Sequence, residues 1–502
     1  MSENTSGQQE AMSLRSNLER ALEASGIYRH GILDSVLGVV ALAQQCEGMT
    51  SALDIERTII EGALRAVRPL LEGQLQDAVE RLDKQARGGG PCPSCRKGRM
   101  HSISRRQRSW TTLSGRVRLK RKGFECSSCL SCDYPAQRAL GLSSDEHTPR
   151  FQEALTLLAA TVPHEMAVKL AGELFSVKLS ETGLQDMVER RADGVQKLLE
   201  KEAAEHPAFN AKGLVSTLPP PQSTRPTRVY VEIDGVLPMT REELPDTDLT
   251  PAQREAKALA QRAKARGGKG RKYRLVGREV KMAVIYVEDA AVRESDSRGC
   301  LLQKHYVAHL GDARSFGQLL WSKLVTTGLV HADEIVVISD GAEWIRNLMS
   351  ALPLPGQLRF VLDLFHIKHR LWEVAHALFG EHTPKAAAWA NIQGARIEDG
   401  NSAAVLHALR FVRARGQARD LVDALTTYLR NNLDRMDYPA CRALNIRVGS
   451  GAVESANYHV IGARMKTQGC RWSEKGARGM AYLRADLFNN AWSARTRTLL
   501  AA

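Results

Sequence analysis

Three acidic side chains occupy positions that a soluble chain rarely gives to acids without a use for them. Asp234 ends the apolar run Arg228-Val-Tyr-Val-Glu-Ile-Asp, and Asp340 ends Glu334-Ile-Val-Val-Ile-Ser-Asp; a glycine follows each. The length and β-branching of both runs predict buried strands. A third strand, Arg359-Phe-Val-Leu-Asp363, also ends in an acid and leads into Leu-Phe-His366. Glu454 lies in Gly449-Ser-Gly-Ala-Val-Glu-Ser-Ala-Asn457. The Gly-Ser-Gly opening predicts a helix start with Glu454 in its first turn and Asn457 and Tyr458 on nearly the same face. Acids at the C-terminal ends of buried strands fit an open α/β sheet that holds its ligand outside those ends. Their oxygens suit hard cations such as Mg²⁺ or Mn²⁺. Two such ions about 3.5–4 Å apart can neutralise the attacking and leaving oxygens of an in-line displacement at phosphorus. Taken singly, Asp-Gly is also a common turn and a helix-start Glu an ordinary cap; the chemistry depends on the three together.

A second constellation is made of thiols. Of nine cysteines, five fall between positions 92 and 132. Cys92-x-x-Cys95 and Cys126-x-x-Cys129 predict two knuckles, each presenting two thiolates, which is the ligand set of a structural zinc ribbon. Cys132 is a spare or an alternative fourth ligand. Between the knuckles, residues 96–122 hold eleven Lys or Arg and no acid. Period-2 alternation places Arg116, Arg118 and Lys120 on one strand face, with Arg105 and Arg106 on the facing segment, where they can follow a phosphate backbone. A purely structural ribbon is the alternative. A second basic segment, 254–274, has nine Lys or Arg against one Glu and ends with Lys269, Arg271 and Lys272 ahead of Tyr273. Arg464, Lys466 and Arg471 follow the Glu454 helix and are candidates for holding phosphates beside the metals.

The elements that must position these groups can be read from periodicity. Residues 1–86 show helical spacing without strand alternation. Thr148-Pro149 predicts an N-cap and first turn, and Ser180 predicts the cap of a helix over 181–194 following one over 165–175. Two helices across a tight turn suit a helix-turn-helix, though plain helical cores also contain such pairs. The Pro-rich stretch 205–227 reads as a linker. Residues 370–445 read as helices, with Leu421, Leu425 and Leu429 four apart. His366 and His369, three apart on a helix, lack a third clear ligand for a metal of their own.

The 502 residues imply several domains, and a formal charge of +14 favours a polyanionic partner, with nucleic acid foremost. No apolar run reaches the ~20 residues needed to cross a bilayer, and the polar start Met-Ser-Glu-Asn predicts no secretory signal. A cytoplasmic, nucleoid-associated protein without membrane contact is expected.

The combination of VEIDG, VISDGAEWI, VLDLFHIKHRL and GSGAVESANYHVIGARMKTQGCRW resembles the Asp-Asp-Glu (DDE) transposases of bacterial insertion sequences, related to the Mutator-like group, in the branch with a cysteine-knuckle segment ahead of the core. The likeness runs from about residue 90 to about 490. It implies an RNase H-like mixed sheet with a helical insertion, metal binding by Asp234, Asp340 and Glu454, and a role for His366, in Asp363-x-x-His366, in arranging DNA near the cut. It implies double-stranded DNA as partner, both element ends and target, and a homo-oligomer. The expected organisation is a helical region over 1–88, a zinc ribbon over 89–140, a helix-turn-helix-like domain over 141–204, a linker over 205–227, catalytic core over 228–369 and 447–502, and a helical insertion over 370–446. Two rivals follow from the same residues: a non-catalytic DNA-binding regulator derived from a transposase, and a metal-dependent nuclease that does not join strands.

Overall fold

The computed structural model describes residues 15–24, 31–142, 146–175, 177–209, 226–243, 250–252, 254, 255, 259, 273–295 and 298–501. The chain divides into two compact units, Met1–Val188 with Thr496–Ala502, and Glu189–Arg495. The architecture is mixed α/β.

In the first unit, helices α1 (Ile32–Gln45), α2 (Ala52–Ala66) and α3 (Arg68–Gln85) precede a long antiparallel hairpin of β1 (Met100–Thr112) and β2 (Gly115–Cys126), to which the two-residue β3 (Cys132–Asp133) adds at the far end. Trp110, Val117 and Leu119 on the inner hairpin face pack against Val79 of α3, while Arg116, Arg118 and Lys120 alternate outward and are exposed. Because β3 covers only the last part of β2, the remaining edge of that strand would present unpaired backbone groups. Side chains of α3 take that place: Glu72 and Gln76 accept from the N–H groups of Arg118 and Lys120, and Asp83 accepts from Lys122 N–H at 2.8 Å. Short α4 (Pro135–Ala139) is followed by α5 (Pro149–Thr161), α6 (His164–Phe175) and α7 (Glu181–Glu205). Ser180 caps α7 through Gly183 N–H as expected. Thr148 stands at the N-cap of α5, but its hydroxyl donates to Thr111 O instead of accepting from the helix. The helix expected to stop at 194 runs on through Gly194 to Glu205, passing from the first unit into the second, because Val195, Leu198 and Ala203 carry its buried face onward.

The second unit is built on a five-stranded sheet. Its strands are β4 (Arg228–Val236), β7 (Val280–Val287), β10 (His305–Leu310), β11 (Glu334–Ser339) and β12 (Gln357–Leu362), in the spatial order β10-β7-β4-β11-β12. The first three pair antiparallel, and β4, β11 and β12 run parallel. Short pairs β5 (Met239–Glu243) with β6 (Tyr273–Gly277), and β8 (Ala291–Ser295) with β9 (Arg298–Leu301), stand outside it. One sheet face, carrying Val229, Val231 and Ile233, buries against Phe316, Leu320, Trp321 and Leu324 of α8 (Ala313–Thr326) and Ile345 and Met349 of α9 (Glu343–Ala351). A helical block follows β12: α10 (Leu364–Phe379), α11 (Pro384–Glu398), α12 (Ser402–Arg410), α13 (Gln417–Asn431) and α14 (Tyr438–Ala443). The chain then returns to the other sheet face as α15 (Gly451–Ala456), a π-helical turn (Asn457–Gly462), α16 (Ala463–Met465) and α17 (Glu474–Phe488), and ends in α18 (Trp492–Ala501). Of the Pro-rich stretch, Ala208 is already docked, its N–H on Gln318 Oε1 at 2.8 Å, while 210–225 lies outside the described residues.

Candidate acid cluster and cysteine site

Alternation along β4 decides where its acids go. With Val229, Val231 and Ile233 turned into the core, Tyr230, Glu232 and Asp234 turn toward the segment that carries Glu454. Asn457, one turn beyond Glu454, donates from Nδ2 to Asp234 Oδ2 at 2.7 Å. Asp340 follows β11, which pairs directly with β4, and its Oδ1 accepts from Ala342 N–H at 2.9 Å. Gly341 makes that turn at φ +92, and a Cβ there would meet Leu362 and Asn432. Tyr428 of α13 donates its phenol to Asp340 O at 2.7 Å, so the helical insertion closes one side of the cluster.

Asp363 ties three elements together. It ends β12, caps α10 by accepting from Phe365 and His366 N–H, takes His366 Nδ1 at 2.5 Å, and receives Ser450 Oγ at 2.8 Å from the loop leading to α15. Burial alone would raise its carboxyl, but the hydrogen bonds from His366, Ser450 and Phe365 more than offset this and hold it below the usual value. The same contact with Asp363 raises His366, assisted by the fields of Asp234 and Asp340. Ligating atoms of Asp363, His366 and Glu454 lie within 4.8 Å of one another. Asp234 is raised by burial and by nearby Asp340; Glu454 is raised by burial and by Asp363 and Asp234. Asp234 and Asp340 are not in that three-residue group, but Asp234 acts on Glu454 and both aspartates act on His366.

A cation fits these residues on two grounds. Asp234 and Glu454, each raised by burial and by a neighbouring carboxylate, favour a positive charge beside them. The buried Oδ1 of Asn457, beside Asp234, also has no hydrogen-bond partner.

Two supports of this cluster escape sequence reasoning. Glu232 is 1% exposed, accepts the Tyr286 phenol at 2.6 Å and Val453 N–H at 2.9 Å, and so anchors the first turn of α15 to β4. Burial, opposed by those hydrogen bonds, raises its carboxyl to about 6. Arg484 of α17 donates to the carbonyls of His459 and Val460. In a π-turn the regular ladder is interrupted, and this buried guanidinium supplies donors where the carbonyls need them. An acid alternating with Val and Ile is the only sequence signal for Glu232, and Arg484 has none.

The basic residues divide. Lys466 and Arg471 are exposed beyond α16, but Arg464 is 2% exposed and stacks over Trp472 at 4.8 Å, so its expected role on phosphate is not what this side chain does. Its guanidinium is taken up in the packing of the segment after the π-turn. Lys269, Arg271 and Lys272 lie outside the described residues. Arg105, Arg106, Arg116, Arg118 and Lys120 are all exposed on the β1–β2 hairpin.

At the hairpin's far end, Cys92, Cys95, Cys126 and Cys129 bring their sulfurs within 4.8 Å of one another. The Cys92–Cys129 and Cys95–Cys126 separations are both 3.7 Å. Four thiolates around zinc at ~2.3 Å would stand about 3.8 Å apart, so the spacing is that of a tetrahedral site. The two knuckles match: Arg96 N–H bonds Cys92 O and Leu130 N–H bonds Cys126 O, and Arg96 and Leu130 both adopt φ +57. A hydrogen bond from Ser131 leads the effects that lower Cys92 to about 5, favouring the ligating thiolate. Cys132 is not part of the cluster; its thiol turns to Glu125.

No match to the chain was found among curated proteins. Residues 280–498, a span that includes Asp340, His366 and Glu454 but neither Asp234 nor the four clustered cysteines, match the model of an uncharacterised protein family, UPF0236.

Proposed function

We propose that the chain is a DNA transposase of insertion-sequence type, cutting strands at the ends of a mobile element and joining the freed 3′-hydroxyl to target DNA. The observation that carries this reading is that Asp234 and Asp340 lie at the ends of neighbouring strands while the Glu454 turn packs against β4, with Asn457 bonded to Asp234 and Glu454 grouped with His366. The sheet, with three antiparallel strands continued by two parallel ones and an acid at the end of β4 and after β11, is the arrangement expected of an RNase H-like core.

Asp234, Asp340 and Glu454 would hold Mg²⁺ or Mn²⁺, which supplies charge neutralisation at the attacking and leaving oxygens. Asn457 Nδ2 and the Gly235 N–H orient the Asp234 carboxylate. Asp363 accepts from His366 Nδ1, which fixes the ring and turns Nε2, with its raised proton affinity, toward a phosphate oxygen. Glu232 and Ser450 keep the Glu454 turn in register with β4 and β12. Cutting and joining are both in-line attacks at phosphorus, so one acid cluster serves both. Zinc at the four cysteines would stiffen the hairpin so that its basic face meets the DNA backbone as a rigid surface. Holding two element ends at once calls for at least a homodimer.

The test is Mg²⁺-dependent cutting of duplexes taken from the DNA flanking the gene, by wild type and by Asp234→Asn, Asp340→Asn and Glu454→Gln. Each variant should lose at least about 10²-fold in rate, the scale of losing one charge-stabilising group. Retained cutting by any one removes that residue from the triad. Pre-cut ends supplied with target DNA then separate strand joining from plain hydrolysis.

A further inference from the structure

The acid cluster and the cysteine hairpin leave one strongly basic feature of the second unit unused. Between α12 and α13 the chain reads Arg410-Phe411-Val412-Arg413-Ala414-Arg415-Gly416, and no acid occurs from Ser402 to Arg419. Arg410, Arg413 and Arg415 are exposed, and none has an acidic partner within 4 Å among the described residues, unlike Arg419, which pairs with Asp423. Phe411 is 71% exposed, with the His407 ring beside it at 4.9 Å. An aromatic ring held in water among three unpaired guanidiniums has no folding benefit to explain it. Val412, between them, is half-buried, and its N–H bonds Leu409 O of α12.

We infer that this loop is a DNA-binding element, its arginines on successive phosphates and Phe411 on the face of a base or sugar. Guanidinium suits phosphate through its planar fork, and aromatic rings among cations are the pattern by which proteins grip nucleic acid strands. An acidic protein partner would be met by the charges but would leave Phe411 without a function. The position agrees with the DNA reading. α13 runs from the loop to Tyr428, whose phenol bonds Asp340 O, and the twelve residues from Gly416 to Tyr428 span about 18 Å at 1.5 Å each. At about 3.4 Å per base pair, the loop would meet DNA about five base pairs from the phosphate at the acid cluster. The inference rests on the proposed strand chemistry for the identity of the ligand as DNA, not for the existence of the binding site.

The test is fluorescence anisotropy of the full chain on a labelled 30-base-pair duplex ending in a short single strand, over a range of salt concentrations, with Ca²⁺ in place of Mg²⁺ to prevent cutting. Replacing three phosphate-contacting arginines should make the slope of log K against log salt shallower by about 2.7, at about 0.9 per contact. Arg413→Ala and Arg415→Ala singly should each take about one-third of that. The triple variant Arg410→Lys, Arg413→Lys, Arg415→Lys should keep the slope, and Phe411→Ala should weaken binding about tenfold with the slope unchanged. An unaltered slope in the triple alanine variant, with its melting curve like wild type, overturns the inference. Because no cutting is required, loss of the transposase reading through active Asp234→Asn protein would leave this result standing, and the reverse also holds.

Discussion

Replacing Glu232 tests whether the acid cluster depends on the anchor described above. The carboxylate is 1% exposed and is held by the Tyr286 phenol at 2.6 Å and Val453 N–H at 2.9 Å. A hydrogen bond to a charged group contributes about 1.5–3 kcal/mol, and stranding a buried donor costs about 1–3 kcal/mol. Glu232→Ala strands both the phenol and the N–H, so it should cost the second unit about 3–5 kcal/mol. Tyr286→Phe removes one donor and should cost about 1.5–3 kcal/mol. Once Glu232 is gone the phenol has lost its acceptor, so the double variant should be little worse than Glu232→Ala, a coupling of about 1.5–3 kcal/mol. Urea denaturation followed by tryptophan fluorescence measures each corner, taking the transition of this unit separately because a two-unit chain need not unfold in one step. The cutting assay should follow the same order, since a loosened first turn of α15 lets Glu454 drift from Asp234. Additive losses would refute the argument. They would mean that Glu232 and Tyr286 stabilise the unit independently and that the short contact carries nothing.

Two further outcomes follow from the same reasoning. His309, 7% exposed with Nδ1 on the Tyr482 phenol at 2.7 Å, is pushed down to about 4, first by burial and then by the Arg478 cation. The unfolded chain therefore binds an extra proton between the ordinary value near 6.5 and about 4, so the stability this neutral ring confers is complete above that window and about 3 kcal/mol of it is lost as pH falls through it. Denaturant midpoints across this range should decline in wild type and much less in His309→Asn; parallel declines would assign the loss to other groups. Zinc content measured by elemental analysis should be one per chain and should vanish in Cys129→Ser while persisting in Cys132→Ser; the opposite pattern would move the fourth ligand to the residue that now faces Glu125.

The strands that run into acids were legible because apolar, β-branched runs that stop at a carboxylate have few other uses, and β4, β11 and β12 fall where those runs predict. The helical reading of 370–445 holds from α10 through α14 for a similar reason, the four-residue spacing of its leucines. What stayed hidden depends on contacts between distant segments. Glu232 reads as the polar side of a half-exposed strand, and only the return of α15 over that side buries it. Arg464 shares the charge pattern of exposed Lys466 and Arg471, and no local pattern announces that Trp472 will cover it. Spacing also could not choose between Cys129 and Cys132, since both are within reach of the first knuckle. The choice is made by β3, whose pairing with β2 at Glu125 turns the Cys132 thiol aside.

The acids of the second unit differ in their preparation, and the difference bears on which of them act. Asp363 spends its carboxylate on two helix-capping N–H groups, an imidazole and a serine, and ends with a lowered proton affinity: it is finished as a structural joint. Asp234 and Glu454 are left raised, Asp234 by burial and by Asp340, Glu454 by burial and by Asp363 and Asp234, despite the hydrogen bonds each receives. A fold that only needed negative charge near these strand ends would have satisfied them as it satisfied Asp363. Leaving two carboxyls with raised proton affinity beside a buried amide oxygen with no donor costs stability in the bare protein, and under the proposed function that cost would turn into affinity for a divalent cation. Placing the settled acid and the unsettled ones within one constellation lets Asp363 hold β12, α10 and the α15 approach in fixed relation while the others remain free to ligate.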